Sequence, residues 1–248
     1  MRACCSGGWP VNESQRRAYA ALGIGPVWRR RGSAGESGGA AGAAAVAEAK
    51  APEAIDMADM DWPALRAAVA DCHACRLCET RTRTVFGVGD EHASWMVVGE
   101  APGAEEDRRG EPFVGSAGKL LDQMLAALGL SRDRDVFIAN VLKCRPPQNR
   151  DPSPDEVQRC EPYLRRQIEL LAPRVIVVAG RIAAQSLLRT EASIASLRGR
   201  VHAYRLGERA IPVVVTYHPA YLLRNPPDKA RAWEDLCLAR SVHAGAAG

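Results

Sequence analysis

Four nearly unbroken runs of apolar residues, each followed by a helical pattern, organise the chain from about residue 61 onward. The runs cover residues 95–99, 135–140, 174–180 and 211–216. Strands buried on both faces read as continuous apolar runs, whereas strands with one solvated face alternate between apolar and polar residues. The pattern therefore predicts an α/β fold in which helices cover both faces of a mainly parallel sheet.

Helical periodicity and capping signals fill the intervals around these strands. Ser153 and Glu156 have the spacing of a capping box, which marks the start of a helix. A leucine-rich stretch ending at Gly129 places its apolar residues on one helical face. Helices are expected over residues 61–70, 116–128 and 153–171, in a short segment ending near 188, and over 228–240.

Polar and glycine-rich segments follow the carboxyl ends of the predicted strands. Ligands of parallel α/β sheets bind beyond these ends of the strands. We therefore expect a ligand site to be built from the residues there. They are residues 99–103 (Gly-Glu-Ala-Pro-Gly), Asn140, residues 180–181 (Gly-Arg) and residues 217–219 (Tyr-His-Pro).

The first fifth of the chain differs in composition from the rest. Residues 32–54 consist almost entirely of Gly, Ala, Ser and Glu, and such a segment cannot bury enough surface to offset its ordering entropy. The first 50 residues hold seven basic and three acidic residues and so carry the whole net charge of +4. We predict a disordered basic tail over 1–58, a folded domain over 59–242 and a C-terminal tail over 243–248.

Three interpretations of the basic tail stay open. The run from Arg29 to Arg31 can contact nucleic acid, it can be a solvated tail, or the segment can result from a start codon assigned ahead of the true N-terminus. The sequence contains no run of about 18 apolar residues and so predicts no membrane span. Polar residues follow Cys5 where a secretory signal needs an apolar core. We therefore expect no membrane partner and a cytoplasmic protein without disulfides.

Six cysteines follow residue 70, and four of them have spacings typical of a metal site. Two residues separate Cys72 from Cys75, and Cys144 and Cys160 can supply two further thiolates. Four thiolates fit either zinc or an iron–sulfur cluster, and unligated buried cysteines are the third alternative. Cys78 adds an ambiguity, because two residues also separate it from Cys75, so that Cys75 and Cys78 have the same spacing.

Residues 62–240 resemble the type-4 uracil-DNA glycosylases of bacteria and archaea. The resemblance rests on several segments that occur in the order and at the spacing of that family, which is far more specific than any one segment alone. The segments are Cys72–Leu77, Val85–Gly89, Gly99–Asp107, Gly110–Gly118, Asn140–Arg150 and His218–Arg224.

This resemblance implies a three-layer α/β/α sandwich with a central four-stranded sheet and a 4Fe–4S cluster. The family's cysteine pattern selects Cys72, Cys75, Cys144 and Cys160 as ligands and leaves Cys78 as an extra thiol. The implied reaction is hydrolysis of the N-glycosidic bond between uracil and deoxyribose, after the base has been flipped out of the DNA. The expected partner is uracil-containing DNA, single- or double-stranded, bound by a monomer associated with a bacterial nucleoid.

The resemblance also assigns roles to residues near the strand ends. Glu100 is expected to be the catalytic carboxylate near the sugar, and His218 the catalytic donor to uracil O2. Phe113 is expected to stack on uracil. The Asn140 amide can donate to O4 and accept from N3–H, a pattern that cytosine reverses. The structural alternatives are a helix-terminal glutamate, a core phenylalanine, a turn-forming asparagine and a structural histidine.

Other residues are expected to complete the uracil site. Gly99, Ala101, Glu106 and Asn149 lie at family positions that bind substrate, and Glu106 is expected to shape the pocket against the thymine methyl group. Ala101 stands where the best-known uracil glycosylases carry an aspartate. The part that Glu100 takes in activating water is therefore left open.

Two groups of residues are expected to contact DNA. Leu222 or Leu223 is expected to enter the minor groove, with Arg224 on a phosphate. Core packing is the alternative for the two leucines. The loop around the third cysteine adds basic side chains that can reach phosphates, namely Lys143, Arg145 and Arg150.

Two other functions are compatible with parts of this pattern. A non-catalytic iron–sulfur module that binds DNA would not need both Glu100 and His218 after strand ends. A related branch of uracil glycosylases bonds covalently to the abasic product through a histidine in a basic insert after the phenylalanine loop. Here residues 114–119 lead directly into a predicted helix, which argues against that branch. No lysine matches a Schiff-base position, so strand cleavage is not expected.

Overall fold

One mixed sheet of six strands lies at the centre of the computed structural model, which describes residues 57–245. The four predicted strands form the middle of this sheet, and neighbouring strands among them are parallel. The sheet order is β1-β3-β2-β4-β6-β5. The strands are β1 (Val88–Gly89), β2 (Trp95–Gly99), β3 (Val136–Asn140), β4 (Val175–Ala179), β5 (Val201–Leu206) and β6 (Arg209–Thr216).

The sheet has six strands rather than the four predicted, because an antiparallel strand lies at each edge. β1 contains only two residues and pairs with β3. β5 pairs with β6, and its residues alternate between exposed and half-buried. Neither β1 nor β5 contains a continuous apolar run, and the pattern of apolar runs therefore does not predict these two strands.

The five predicted helices are present, and Asp61 and Ser153 cap two of them as expected; three short helices, over 104–109, 194–197 and 219–224, were not predicted. Asp61 Oδ1 accepts from Ala64 N at 2.9 Å, and Ser153 and Glu156 form the capping box. The described residues contain eight α-helices: α1 (Trp62–Ala70), α2 (Ala104–Arg109), α3 (Ser116–Ala127), α4 (Pro154–Leu171), α5 (Arg181–Leu188), α6 (Ile194–Leu197), α7 (Pro219–Arg224) and α8 (Lys229–Gly245).

Alternate residues of the central strands face two separate apolar cores. Met96 and Val98 belong to the core that contains residues of α1, α4 and α5. Trp95 and Val97 belong to the core on the other face, which contains Leu121 of α3 and residues of α8. Because successive side chains of a strand point to opposite faces, these two cores lie on opposite sides of the sheet. The predicted three-layer α/β/α sandwich is confirmed.

The two ends of the described region differ from the predicted domain boundaries. The tail predicted over 1–58 lies outside the described residues as far as residue 56, and Met57 already packs into a core. Helix α8 continues to Gly245, beyond the predicted domain end at 242. His243 fixes this last turn, because its Nε2 lies 2.6 Å from Ser94 Oγ and its ring stacks on Trp95.

None of the helices in the described range is both long enough and apolar enough to cross a membrane.

The register of the parallel strands brings their carboxyl ends to one edge. Gly99 at the end of β2 pairs with Asn140 at the end of β3, and Ala179 of β4 pairs with Thr216 of β6. The loops that follow all four strands therefore begin side by side. The predicted strand-end segments are brought together there, as expected for an α/β ligand site.

The packing of α3 against the loop before it predicts a large effect of one added methyl group. A Cβ atom on Gly118 would overlap the carbonyl oxygen of Phe113, which is backbone and cannot rotate away. We expect Gly118→Ala to lower the free energy of unfolding by about 2 kcal/mol or more in urea titrations, despite the better helix propensity of alanine. Gly245→Ala is the control, since its Cβ would meet no atom within 4 Å. Equal stabilities of the two variants would contradict this packing.

Candidate functional site

A cleft of about 470 Å³ opens at the carboxyl edge of the sheet. It gathers residues from the loops after β2, β3 and β6 and from the segment between α2 and α3. Most of the substrate residues predicted from the sequence are among those that line it. These lining residues are Glu100, Ala101, Glu106, Phe113, Asn140 and Asn149, together with Arg150, His218 and Arg224.

Glu100 is a half-buried carboxyl group in this cleft. Burial raises its pKa to about 7; the nearby Asp151 carboxylate adds to this shift, and Arg181 opposes it. Helix α2 begins only at Ala104, so Glu100 lies outside the first helical turn, and the alternative of a helix-terminal glutamate does not hold. A carboxyl group with a pKa near the working pH is suited to general acid–base chemistry.

Phe113 is held in the cleft in an unusual backbone conformation. Its φ of 54° lies in the left-handed region, which costs a bulky residue free energy. Arg132 donates to the carbonyls of Pro112 and Phe113, both at 2.8 Å, and so fixes the loop. The Phe113 ring stacks on His218, with 5.5 Å between ring centroids. Both rings line the cleft, although Phe113 itself is buried.

His218 caps the short helix α7 through its ring. Its Nδ1 accepts from Ala220 N at 3.1 Å, which requires an unprotonated Nδ1. Burial lowers the pKa of His218 to about 4, the Arg224 charge lowers it further, and Glu106 opposes the shift. The imidazole is therefore neutral at pH 7 and carries its proton on Nε2. A neutral imidazole in this tautomer can donate one hydrogen bond to a ligand in the cleft.

Asn140 is the last residue of β3 and is 2% exposed. It has strand geometry and pairs with Gly99, so it does not form a turn. A Cβ atom on Gly99 would lie 2.6 Å from the Phe113 ring and would also collide with the Asn140 side chain. The missing side chain at Gly99 therefore allows the phenylalanine and the asparagine to lie next to each other.

Glu106 and Asn149 shape the two sides of the cleft. Glu106 Oε1 accepts from Val114 N at 3.2 Å and so supports the Phe113 loop. Asn149 has a positive φ of 53°, and its Oδ1 accepts from Arg145 Nε at 2.8 Å. The expected action of Glu106 against a thymine methyl group stays a prediction.

Four of the predicted cysteines line a second, small cavity behind the cleft. They are the pair from the segment before β1, the cysteine after β3 and the one in α4, namely Cys72, Cys75, Cys144 and Cys160. Cys78 does not line this cavity; it lines an open depression at the surface, which Cys75 also borders. The structure thus groups the four cysteines that the family pattern selects.

The chemistry of this donor set fits a group that binds thiolates. Arg81 Nη1 donates to Cys144 Sγ and Lys143 N to Cys160 Sγ, each at 3.2 Å. Burial raises the pKa of Cys144 to about 11 and that of Cys160 to about 12, so both need a bound cation to ionise at neutral pH. No cluster of three or more Cys, His, Asp or Glu side chains within residues 57–245 is arranged for a single metal ion.

Two of the predicted DNA contacts are corrected by the structure. Leu222 is 1% exposed and packs with Tyr217 and Ala232, so it is a core residue. Leu223 is 42% exposed and is the leucine of this pair that is available to a groove. Lys143 is 1% exposed, and its Nζ donates to Asn140 O and Gln167 Oε1 inside the protein. It cannot contact a phosphate there.

The other basic residues stay compatible with DNA contacts. Arg224 is exposed at the end of α7 and borders the cleft. Arg145 is half-buried beside Asn149, and Arg150 keeps 46% of its side chain exposed while it pairs with Glu156 at 2.6 Å. Arg150 and Arg224 thus line the cleft, and Arg145 lies next to it through its bond to Asn149.

Residues 86–237 match the model of the family described as the uracil DNA glycosylase superfamily. This match covers more than half of the chain and includes the cleft and two of the four grouped cysteines. The chain belongs to the uracil-DNA glycosylase superfamily.

Within the superfamily, the chain is similar to proteins named type-4 and type-5 uracil-DNA glycosylases. It is 50% identical to the type-4 uracil-DNA glycosylase of Archaeoglobus fulgidus over 162 residues, which are 64% of this chain and 81% of that protein. It is 43% identical to the type-4 enzyme of Thermotoga maritima, over 70% of this chain and 90% of that protein. The type-5 uracil-DNA glycosylase of Thermus thermophilus is 34% identical over 50% of this chain and 61% of that protein.

Two further residues influence Glu100: Arg181, which the sequence places at the ligand site without a role, and Asp151, which the sequence does not single out. Arg181 Nη2 donates to Asp151 Oδ2 at 3.0 Å, and both charges act on Glu100. Arg181 directly follows the strand-end Gly180, so its position after β4 was the available signal. Asp151 lies between a turn and α4, where nothing in the local pattern separates it from an ordinary loop aspartate.

The Asp151–Arg181 pair predicts opposite shifts of the Glu100 pKa. Selective carboxyl labelling and carbon-13 NMR should give a titration midpoint near 7 for Glu100. Asp151→Asn removes a like charge and should lower the midpoint, whereas Arg181→Gln removes an opposite charge and should raise it. Asp155→Asn, on the exposed face of α4, is the control and should leave it in place. A wild-type midpoint near the ordinary glutamate value would show that Glu100 is solvated.

Proposed function

We propose that this protein is a monofunctional uracil-DNA glycosylase, which hydrolyses the N-glycosidic bond of uracil in DNA and leaves an abasic site. The observation that carries the proposal is the convergence of Glu100, Phe113, Asn140 and His218 on one cleft. Membership of the superfamily and the type-4 names of similar proteins support the same activity. The proposal therefore places the protein in base excision repair of DNA.

The cleft offers a distinct contact to each part of a flipped uracil nucleotide. The Phe113 ring is proposed to stack on the base, and His218 packs against this ring. The Asn140 amide can donate to O4 and accept from N3–H, whereas cytosine presents the reverse pattern. The Nε2 proton of neutral His218 can be donated to O2, where negative charge develops as the uracil anion departs.

Glu100 acts on the opposite, sugar side of the reaction. Its ionised form can stabilise the positive charge that develops on the sugar, and it can also orient or deprotonate the attacking water. Both roles require the carboxylate rather than the acid. Because Ala101 has no functional group, Glu100 is the carboxylate proposed for either role.

The described lysines support a monofunctional reaction. A lyase step needs an amine that can form a Schiff base with the opened sugar. Neither Lys119 nor Lys229 lines the cleft, and Lys143 is buried with its ammonium bonded to protein oxygens. Hydrolysis is therefore the proposed outcome.

We infer further that Cys72, Cys75, Cys144 and Cys160 hold a 4Fe–4S cluster. The support is the grouping of the four thiols around one cavity and the N–H groups of Arg81 and Lys143 directed at two of the sulfur atoms. Such a cluster would supply a covalent link between distant segments of the chain. Through these four ligands the cluster would join the segment before β1 to the loop after β3 and to α4.

DNA binding is proposed to depend on local charge rather than on the net charge. The proposed phosphate contacts are Arg145, Arg150 and Arg224, which line the cleft or lie next to it, and Leu223 is the proposed wedge in the base stack. Single- and double-stranded uracil DNA are both proposed substrates. The monomeric state and the nucleoid-associated cytoplasmic location expected from the sequence stay predictions.

The central prediction is that the purified protein releases uracil from single-stranded DNA and from U:G duplexes without an added metal ion. Glu100→Gln and His218→Gln should each lower the excision rate by about 100-fold or more, the usual size of an acid–base or oxyanion contribution. Glu91→Gln is the matched control, because Glu91 pairs with Arg66 at the surface outside the cleft. A folded wild-type protein that leaves uracil DNA intact would refute the function.

The pH dependence of excision should follow the ionisation of Glu100. The rate should rise with pH and reach half its maximum near pH 7, because the Glu100 pKa is about 7 and the carboxylate is the active form. His218 is already neutral above about pH 4 and should not limit the rising limb. A rate that stays constant from pH 5 to 8 would exclude Glu100 ionisation from the rate-limiting step.

The cysteine assignment predicts different effects of two serine variants. Wild-type protein should be brown, absorb near about 400 nm and contain about four iron atoms per chain. Cys160→Ser should lose most of the iron, because its sulfur is one of the four around the cavity. Cys78→Ser should retain it, since Cys78 is not among the residues that line the cavity. Zinc in place of iron, or equal iron loss in both variants, would overturn the assignment.

A further inference from the structure

Lys143 is a buried lysine whose polar atoms all form hydrogen bonds. Its partners include the cleft residue Asn140 and the predicted ligand Cys160. Its Nζ donates to the Asn140 carbonyl at 2.8 Å and to Gln167 Oε1 at 2.6 Å. Gln167 is 0% exposed, and its Nε2 donates to Phe86 O at 2.9 Å. The lysine ammonium therefore has a fixed position directly behind the residue proposed to read uracil.

The backbone of Lys143 belongs to the cysteine site. Its N–H donates to Cys160 Sγ, and its carbonyl accepts from Val85 N at 2.7 Å. Cys144 is the next residue, and Lys143 itself lines the cavity that the four cysteines share. One residue thus contacts both the cleft and the proposed cluster site.

The charge of Lys143 needs a counter-charge in the protein interior. Both hydrogen-bond acceptors of its ammonium are neutral oxygens, and no ion pair found within residues 57–245 includes it. A buried ammonium without a nearby anion is strongly unfavourable. The candidates for this counter-charge are the four cysteines whose cavity Lys143 lines. Thiolates that ligate a cluster would supply the missing negative charge.

We propose that Lys143 is a positioning residue that links the cysteine site to uracil recognition. Its ammonium is the buried counter-charge of the cluster ligands, and the same ammonium fixes the backbone of Asn140. This inference rests on the proposed glycosylase function and adds a residue through which the cluster influences the pocket. Lys143 has no contact with substrate, so its effect on the reaction passes through Asn140.

The test uses cluster-loaded full-length protein with Lys143→Met, which keeps the length of the side chain and removes its charge. Lys229→Met, an exposed lysine at the start of α8, is the matched control. The first readout is the midpoint potential of the cluster. Loss of a nearby positive charge should make this potential more negative in Lys143→Met and leave it unchanged in Lys229→Met.

The second readout is a double-mutant cycle in the single-turnover rate of uracil release per mole of cluster. Lys143→Met alone should reduce the rate about tenfold, as for loss of a charged hydrogen bond. In an Asn140→Ala background the same change should have little further effect, because the side-chain amide that Lys143 positions is already gone, although the backbone carbonyl stays. Additive losses, or a potential equal to that of Lys229→Met, would overturn the proposal.

Two further results separate the possible failures. If wild-type protein is brown but inert on uracil DNA, the proposed function fails, whereas the shift in potential still decides the contact between Lys143 and the cluster. If Lys143→Met does not fold, Gln167→Met takes its place in the cycle. It removes one acceptor of the ammonium and should be non-additive with Asn140→Ala. Additivity in that cycle would overturn the link to Asn140.

Discussion

Backbone hydrogen bonding between β2 and β3 continues past the ends of both strands, and the candidate site depends on it. Gly99 pairs with Asn140; Val141 N then donates to Gly99 O at 2.9 Å and Leu142 N to Glu100 O at 3.0 Å. The proposed catalytic carboxylate and the proposed uracil-reading amide are therefore carried by loops in fixed register. A slip of one residue would move Asn140 to the other face of the sheet, because side chains alternate along a strand.

Burial in the cleft shifts two ionisable groups in opposite directions. It raises the pKa of Glu100 to about 7 and lowers that of His218 to about 4, because a poorly solvated site disfavours the charged form of either group. The pair Asp151–Arg181 adjusts the first group and Arg224 the second. A single environment thus prepares a neutral donor and a carboxylate that is half ionised at neutral pH.

The sequence predicts the central strands and the cleft residues, because both have local signals: apolar runs, and polar residues directly after them. The edge strand β5 has no such run, and the exposure of Leu223 against Leu222 depends on which side of α7 packs on the core. Lys143 is the clearest example of a residue whose position the local sequence does not predict. A lysine is expected at the surface, and its burial depends on Gln167, which is distant in the chain and marked by no local pattern.

Helix α7 carries His218 at its first cap and Leu223 and Arg224 in its last turn. Leu223 lies five positions after His218, which is roughly 7.5 Å along a helix at about 1.5 Å per residue. A six-residue helix with a capped start and a core-packed Leu222 is too short and too firmly seated to bend between these points. In the proposed complex this helix therefore holds His218 at a fixed distance from Leu223. The depth to which the leucine enters the base stack then sets the position of the imidazole relative to the extruded base, so that insertion into DNA and placement of the hydrogen-bond donor cannot vary independently.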